Sequence, residues 1–289
     1  MKNLLKAEFS RMFRSKLFWI FMILSVIFCV YNIYDVATMP AEFGHSEAYG
    51  YVFEAALYFY ILVYIFAAAV LDSLFISREH ADGTIRNKII SGHSRASVYM
   101  TELIVCTVTG LIMFIVNLAI ISLPFLKFGI HGMDGWVTMR RIILIAVLII
   151  VINSMFVLFS MLIPSRASSV VWSIVFIIIM LVSSGLIQDK LDNDSRSRTL
   201  RESGEYYEHS KILGDTERKV YKALNYILPT NQVIHTYDID DFLVDYKDTS
   251  EIPQKKLNTY LASLCLMDAV TLVLVTAAGI TIFRKKDLK

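Results

Sequence analysis

Residues 139–163 read MRRIILIAVLIIVINSMFVLFSMLI, and no charged side chain follows the two arginines at the start. A hydrocarbon core about 30 Å thick is crossed by about 20 apolar helical residues, because a helix satisfies its backbone polar groups internally. Five further apolar runs of similar length occur at residues 17–34, 51–76, 98–123, 168–187 and 259–283. The sequence therefore predicts an all-α polytopic membrane protein with six transmembrane helices.

The composition agrees with this class of protein. Hydrophobic residues make up 56% of the 289 residues and the mean hydropathy is +0.56, whereas soluble domains are about 45–50% apolar. The cysteines, Cys29, Cys106 and Cys265, all fall within apolar runs, so we expect neither a disulfide framework nor a thiolate metal site.

The joints between the runs differ in charge. Assigned alternately to two sides, the joints 1–16, 77–97, 164–167 and 284–289 carry fourteen lysines and arginines against four acidic residues. On the opposite side, segment 35–50 has no lysine or arginine, and segment 188–258 has eleven basic and fourteen acidic residues. The positive-inside rule then predicts a multi-pass protein of the plasma membrane with both termini in the cytoplasm.

The chain divides at residues 187 and 258. Residues 1–187 comprise an interfacial elbow helix and spans one to five, residues 188–258 a small extracytoplasmic domain, and residues 259–289 the sixth span with a basic cytoplasmic tail. Arg140 and Arg141 fall at the outer end of the fourth span, where we expect their side chains to snorkel towards the interface.

Two of the polar joints contain helical signals. In the joint 77–97, Ile85, Ile89 and Ile90 recur at helical spacing, which predicts a short amphipathic helix from near Thr84 to Gly92. In the long external segment, apolar spacing and a following proline predict a helix over residues 215–228. The cluster of Asp238, Asp240, Asp241 and Asp245 lacks the spacing of a calcium loop, so we interpret it as a solvated acidic face.

The motifs of catalysis and nucleotide binding are missing from the sequence. It contains no G-x-x-x-x-G-K-[ST] phosphate loop, dinucleotide fingerprint, G-x-S-x-G elbow, H-E-x-x-H helix or C-x-x-C pair. All six histidines lie in joints between the runs. The sequence therefore predicts no enzyme activity, catalytic residue, metal site or cofactor in this chain.

Acidic residues in or beside the spans are the sharper candidates for function. Asp72 and Glu102 lie near the cytoplasmic boundary, and we expect them to be solvated or paired with Arg78 or Arg86. Glu54 and Asp268 lie in apolar surroundings, where an ionisable group faces a cavity, a substrate path or a hydrogen-bonding neighbour.

Two amide side chains inside spans have the same two interpretations. Asn117 and Asn153 either line a translocation path or form hydrogen bonds between helices. With Glu54 and Asp268 they make up the candidate substrate path.

Two stretches carry a family resemblance, residues 79–95 (EHADGTIRNKIISGHSR) and residues 283–287 (FRKKD). Together with the basic first helix, the six spans and the external segment before the last span, they resemble the membrane permease subunits of type-2 ABC exporters. The long external segment departs from the commonest small permeases of that family.

The resemblance implies a mechanism. Two permease copies would pair with two separate ATPase subunits, which bind ATP and Mg²⁺, and the joint after span two would be a coupling helix that docks on the ATPase. The residues that would contact the ATPase are Arg78, Glu79, Asp82, Gly83, Thr84, Arg86, Asn87 and Lys88, and the first helix would brace that contact.

Few fixed charges line the spans, which favours a hydrophobic or amphipathic substrate such as a peptide, an antibiotic or a lipid-like molecule. Membrane lipid is the other expected partner, and nucleic acid is not expected. Two alternatives remain. One is a sensor or anchor subunit that binds an extracellular peptide without transport. The other is an ion-coupled transporter using Asp268 and Glu54, which predicts inverted repeats and broken helices.

Overall fold

The computed structural model describes residues 1–37, 45–124, 135–202, 212–233 and 254–286, and within these ranges it contains helices and no strand. The helices in chain order are α1 (Lys2–Arg14), α2 (Lys16–Ala37), α3 (His45–Ala81), α4 (Thr84–Ile90), α5 (Arg95–Ile121), α6 (Gly135–Leu162), α7 (Arg166–Glu202), α8 (Asp215–Ile227) and α9 (Gln254–Lys285). A helical turn over residues 229–233 follows α8. Glu54 lies in α3, but its side chain and the aspartates of 238–245 are outside the described residues.

Six of these helices are long and apolar enough to cross a membrane. The spans are Lys16–Asp35, Ala56–Ala81, Arg95–Ile121, Thr138–Leu162, Arg166–Arg198 and Leu261–Lys285. The all-α class and the six spans predicted from the sequence are confirmed. So are the short helix that begins at Thr84 and the helix that begins at Asp215.

Two helices continue beyond the apolar runs that predicted them. α3 extends to Ala81 and ends where Gly83 adopts a left-handed conformation with φ of 69°, which costs glycine little. α7 extends through polar sequence to Glu202, with Arg198 bonded to Asp194 at 3.0 Å and Asn193 to Asp189 at 3.1 Å, each four residues apart. The conformation of Gly83 ends α3, and side-chain bonds within α7 support the helix beyond its apolar residues.

Contacts between termini and joints define one end of the bundle, here called the α4 end. Arg95 Nη1 donates to the carbonyl oxygens of Phe283 at 3.1 Å and Arg284 at 2.8 Å. Lys286 Nζ donates to the carbonyl oxygens of Met161 and Leu162, each at 3.0 Å. The joints that the charge count placed on one side therefore meet at one end.

α3 and α6 form the centre of the bundle. α3 packs against α2, α6 and α7, and α6 also packs against α5 and α9. Apolar side chains from these two helices, such as Ile61, Ile65 and Leu148, are fully buried. Aromatic and aliphatic side chains of the peripheral helices, such as Trp19 on α2 and Trp172 on α7, point outward and are exposed.

Small polar residues join α3, α6 and α7. Ser73 Oγ lies 2.9 Å from Ser173 Oγ and 3.3 Å from Ser160 Oγ, and Ser169 Oγ lies 3.3 Å from Ser160 Oγ. All four side chains are fully buried. Lipid gives little hydrophobic drive for helix association, so contacts between small and polar residues of this kind hold spans together.

The arginines at the start of the fourth span are buried within the protein, so the expectation that they snorkel to the interface is wrong. Arg140 and Arg141 expose only 8% and 1% of their surface. Arg140 Nε donates to Asn258 Oδ1 on α9 at 2.9 Å. The Arg140 side chain is therefore bonded to a polar group of another helix and not to water at the membrane interface.

Gly110 marks a close approach of α5 to α3 and α6. The Tyr64 hydroxyl on α3 donates to Asn153 Oδ1 on α6 at 3.0 Å. A Cβ atom at Gly110 would overlap the Tyr64 hydroxyl and lie 2.8 Å from Asn153 Nδ2. A side chain at this position would therefore separate α5 from α3 and α6.

We expect Gly110→Ala to lower stability by about 1–3 kcal/mol, the usual cost of overpacking a dense interior. The measurement is thermal unfolding of the purified chain in detergent. Gly185→Ala is the matched control, because a Cβ at Gly185 meets nothing within 4 Å. Removal of the hydroxyl in Gly110→Ala/Tyr64→Phe should recover part of the loss, and equal stability of the two alanine variants would contradict this packing.

Candidate functional site

The helix α4 lies outside the spans and is held by both of its ends. Thr84 Oγ1 donates to the carbonyl oxygen of Glu79 at 3.1 Å, and Gly83 and Gly92, with φ of 69° and 94°, form the turns on either side. Ile85 is buried beneath the helix. Its spacing from Ile89 gives α4 one apolar face, so the opposite face is left for solvent.

Charged side chains from four helices meet beside α4. They are Glu8 and Arg11 of α1, Glu79 of α3, Lys88 of α4 and Glu102 of α5, here called the ion cluster. The three glutamates are buried, with exposures of 4%, 1% and 0%.

Lys88 is the centre of the ion cluster. Its Nζ lies 2.7 Å from Glu8 Oε1, 2.5 Å from Glu79 Oε1 and 3.0 Å from Glu102 Oε1. The three carboxylates are close enough together to hold a metal ion, but the ammonium group already fills the position among them. One side chain of α4 is therefore bonded to α1, α3 and α5 at once.

Arg11 supplies the second cation. Its guanidinium lies 2.7 Å from Glu8 Oε2 and 3.6 Å from Glu102 Oε2, and it also donates to Glu79. The guanidinium carbon lies 3.9 Å above the ring of Phe75, a cation–π arrangement. The ion cluster holds three carboxylates against two cations, so it carries a formal charge of −1 when all are ionised.

The pKa values of Glu8 and Lys88, which both lie outside the spans, reflect this excess of negative charge. Burial raises the pKa of Glu8 above its usual 4.5, the nearby Glu79 adds to the rise, and the ion pairs with Arg11 and Lys88 offset only part of it. Burial by itself lowers the pKa of Lys88, but the carboxylates of Glu102 and Glu79 outweigh that effect and raise it above 10.5. Lys88 therefore stays charged at neutral pH, whereas ionised Glu8 is disfavoured.

The residues expected to contact an ATPase divide into two groups. Arg78, Asp82, Arg86 and Asn87 are exposed, and Asp82 Oδ1 accepts a 3.0 Å bond from Arg166. Glu79 and Lys88 lie inside the ion cluster. Gly83 and Thr84 shape the turn into α4. Of the exposed residues, Arg78 and Asp82 border a groove of about 490 Å³ between α1, the end of α3 and the start of α4, which Ser10, Arg14 and Thr84 also line.

The sequence did not predict that Glu8, Arg11 and Glu102 belong to this site. The expectation that Glu102 and Asp72 are solvated or paired with Arg78 or Arg86 is wrong, because Glu102 is paired with Lys88 and Arg11, and Asp72 is buried beside Cys106. A signal was available in α1. Leu4, Glu8 and Met12 are spaced four residues apart and form its buried face, so a charged residue stands in an apolar row.

The candidate substrate-path residues have different surroundings. Asn117 accepts a 2.9 Å bond from Cys29 and donates to Ser25 at 3.0 Å, which joins α5 to α2. Asn153 bonds to Tyr64, as described above. Both amides therefore serve as bonds between helices. Asp268 on α9 is fully buried beside the side chain of Gln232.

A bundle of six spans, with a short charged helix fixed to one end and no phosphate loop in its sequence, has the architecture of a membrane permease subunit. The sequence model of the family described as ABC-2 family transporter protein matches residues 2–288. The chain therefore belongs to the ABC-2 family, as the membrane permease subunit of an ABC transporter. Subunits of this class typically lack an ATPase of their own and work with an ABC ATPase. A comparison with curated proteins found no match.

Replacing Lys88 should be strongly destabilising, because it leaves three buried carboxylates with one cation. We expect Lys88→Met to cost about 3–5 kcal/mol and to lower the apparent Tm in detergent by roughly 6 °C or more. Arg86→Met, two residues away on the exposed face of α4, is the matched control and should leave the Tm unchanged. Similar losses in both variants would show that burial of Lys88 is not the cause.

Glu8→Gln should not destabilise the chain as Lys88→Met does, because it leaves two carboxylates facing two cations in the ion cluster. A pKa that folding raises gives stability that is present below 4.5 and is lost as the pH rises through the folded-state pKa. As the pH rises above 4.5 and through the raised folded-state pKa of Glu8, the wild type loses this contribution and the glutamine variant does not. The Tm of the variant relative to wild type should therefore increase over that interval, and a loss as large as that of Lys88→Met would contradict the assignment.

Proposed function

We propose that this permease subunit exports a hydrophobic or amphipathic substrate, driven by a separate ATPase that docks on α4. The observation that supports it most directly is the ion cluster. A helix of seven residues outside the spans is joined to α1, α3 and α5 through one lysine, whose side chain is 12% exposed. A partner that moves α4 would therefore also move two spans and the helix leading into a third.

The docking surface in this proposal is the exposed face of α4 with the adjoining groove. Arg86 and Asn87 face away from the bundle, and Arg78, Asp82 and Arg14 border the groove. Charged and polar side chains of this kind suit a soluble partner more than lipid. Because the α4 end is rich in lysine and arginine, we place it in the cytoplasm, with both termini and the ATPase.

In this mechanism two permease copies work with two ATPases that bind ATP and Mg²⁺. Closure of the ATPases would draw the two α4 helices together, and the ion clusters would pass that movement to the spans. The pathway would then alternate between inward and outward access. The ion-coupled alternative is less well supported, because the six spans are continuous helices over their described residues.

We expect Arg86→Ala/Asn87→Ala to reduce ATP hydrolysis in the complex purified from the native host through this chain by at least about tenfold. The Tm of the chain itself should not change, because both side chains are exposed. Lys190→Ala/Asn193→Ala is the matched control, since it removes the same types of exposed side chain from α7, far from α4.

Transport gives the decisive comparison. In proteoliposomes the complete complex should move substrate only when ATP is supplied, and the chain alone should neither hydrolyse ATP nor transport. Transport at full rate without an ATPase would refute the proposed function. Binding of a peptide to the external segment with no ATP-dependent flux would favour the sensor alternative.

A further inference from the structure

The groove of about 490 Å³ between α1, the end of α3 and the start of α4, here called the basic groove, has apolar as well as charged walls. Three apolar residues that line it, Leu17, Leu74 and Phe75, belong to the spans Lys16–Asp35 and Ala56–Ala81. The rest of its lining comes from α1 and from the residues between the end of α3 and the start of α4. The basic groove therefore extends from the polar α4 end into the ends of two spans.

Trp19 indicates that the start of α2 lies at the membrane interface. Its side chain is exposed, and its Nε1 donates to the carbonyl oxygen of Phe13 at 2.9 Å. Tryptophan concentrates at the level of the lipid headgroups, because its ring is apolar and its N–H group is polar. Leu17 precedes Trp19 by two residues and lines the basic groove. The basic groove therefore opens near the depth at which lipid headgroups lie.

α1 presents one polar face to the basic groove. Ala7, Ser10, Arg11 and Arg14 all line it, and their spacing of three and four residues places them along one side of the helix. Ser10 and Arg14 are exposed, whereas Arg11 also belongs to the ion cluster. One hydroxyl group and one uncommitted guanidinium group therefore lie one helical turn apart on this wall.

The charges around the basic groove leave a positive excess. Asp82 already has cationic neighbours, because Arg166 lies 3.0 Å from its Oδ1 and Arg78 lies 3.7 Å from its Oδ2. Arg14 forms no ion pair with the acidic side chains that the structure describes. These four residues and the ion cluster, with its formal charge of −1, together carry one more positive than negative charge. An anion is therefore the ligand that this surface favours.

The combination of cations and apolar walls fits a phospholipid. Guanidinium groups bind phosphate oxygens through charge-assisted hydrogen bonds, and a hydroxyl group can donate another. An anionic phospholipid carries its phosphate at the interface and its acyl chains in the hydrocarbon region. A soluble protein can contact the exposed face of α4, but it does not enter the membrane where Leu74 and Phe75 lie.

We propose that the basic groove binds an anionic phospholipid of the leaflet at the α4 end. Arg14 and Arg78 contact the phosphate group, Ser10 donates a hydrogen bond to a phosphate oxygen, and one acyl chain lies along Leu17 and Leu74. Anionic lipids are concentrated in the cytoplasmic leaflet, which is where the charge count places this end. The bound lipid joins α1 to α3 beside the ion cluster, and this role is independent of what the permease transports.

The test measures lipid binding to the full purified chain in detergent by native mass spectrometry, without an ATPase. The probes are dioleoyl phosphatidylglycerol and dioleoyl phosphatidylcholine, which have the same acyl chains but differ in net charge. Wild type should bind the first phosphatidylglycerol about tenfold more tightly than the first phosphatidylcholine, because choline offsets the phosphate charge. Arg14→Gln/Arg78→Gln should lose this preference with little change in Tm, since both side chains are exposed.

Lys2→Gln/Lys6→Gln is the matched control. It removes the same charge from exposed positions of α1 that do not line the basic groove, and it should keep the preference. Equal affinity of wild type for the two lipids, or an unchanged preference in the arginine variant, would overturn the inference. An equal loss in the lysine variant would also overturn it, because general attraction to a basic surface would then explain the binding.

A second pair of variants keeps the test informative if the arginine variant folds poorly. Ser10→Glu places a carboxylate one turn from Arg14 and should remove the preference for phosphatidylglycerol, whereas Ser10→Gln, of similar size, should retain most of it. The same preference in both variants would contradict binding of the phosphate group beside Ser10.

Competition distinguishes a lipid from a soluble anion. A tenfold excess of inorganic phosphate over phosphatidylglycerol should leave the lipid bound, because phosphate has no apolar part to contact Leu17 and Leu74. Displacement would show that the site takes a soluble phosphate and would overturn the inference. Retained lipid preference together with lost ATP hydrolysis in Arg14→Gln/Arg78→Gln would overturn it as well, because these arginines would then contact the ATPase. Failure of lipid binding leaves the coupling test at Arg86 and Asn87 unaffected.

Discussion

The burial of three glutamates against Arg11 and Lys88 beside α4 is the constraint on which the functional end of this molecule depends. Glu8, Arg11, Glu79, Lys88 and Glu102 come from four helices, and each removes its charge from water only because the others are present. The ion cluster is sensitive to loss of either cation, since three carboxylates would then face a single positive charge in a medium of low dielectric constant. That sensitivity makes the ion cluster suitable for transmitting movement, because α4 cannot shift without either carrying its partners with it or breaking several ion pairs at once.

Within the membrane the helices are held by a different kind of contact. Apolar side chains pack against each other or lipid with similar energies, so hydrogen bonds and close approaches decide which helices are neighbours. The serine group on α3, α6 and α7, the bond between Tyr64 and Asn153, and the bonds from Asn117 to α2 all have this role. Asp268 is likewise buried between helices, beside the Gln232 side chain of the turn that follows α8.

The polar segments between the apolar runs allowed α4 and α8 to be predicted, because the sequence signals of these helices are local. Apolar spacing, a glycine before the helix or a proline after it, and the polarity of the flanking chain all act within a few residues. The partners of Lys88 could not be found in the same way. Glu8 lies 80 residues before Lys88 and Glu102 lies 14 residues after it, and no periodicity relates the three. Charge counting assigned the basic residues of these joints to one side of the membrane and did not indicate which of them are paired inside the protein. The expectation for Arg140 was wrong for the same reason, since no local pattern indicates its partner Asn258 on α9.

The sequence by itself determined the class of protein, the number of spans, the short helix after the second span and the family. These follow from hydropathy, local helix signals and short motifs, which each segment carries regardless of its neighbours. Only the tertiary structure decided that Lys88 and Glu79 are internal, that Arg86 and Asn87 face outward, and that Asp268 meets the turn after α8. The physical reason is that the same local sequence pattern is compatible with a charged side chain in solvent and with one that is buried. Which of the two occurs depends on whether a distant part of the chain supplies its partner.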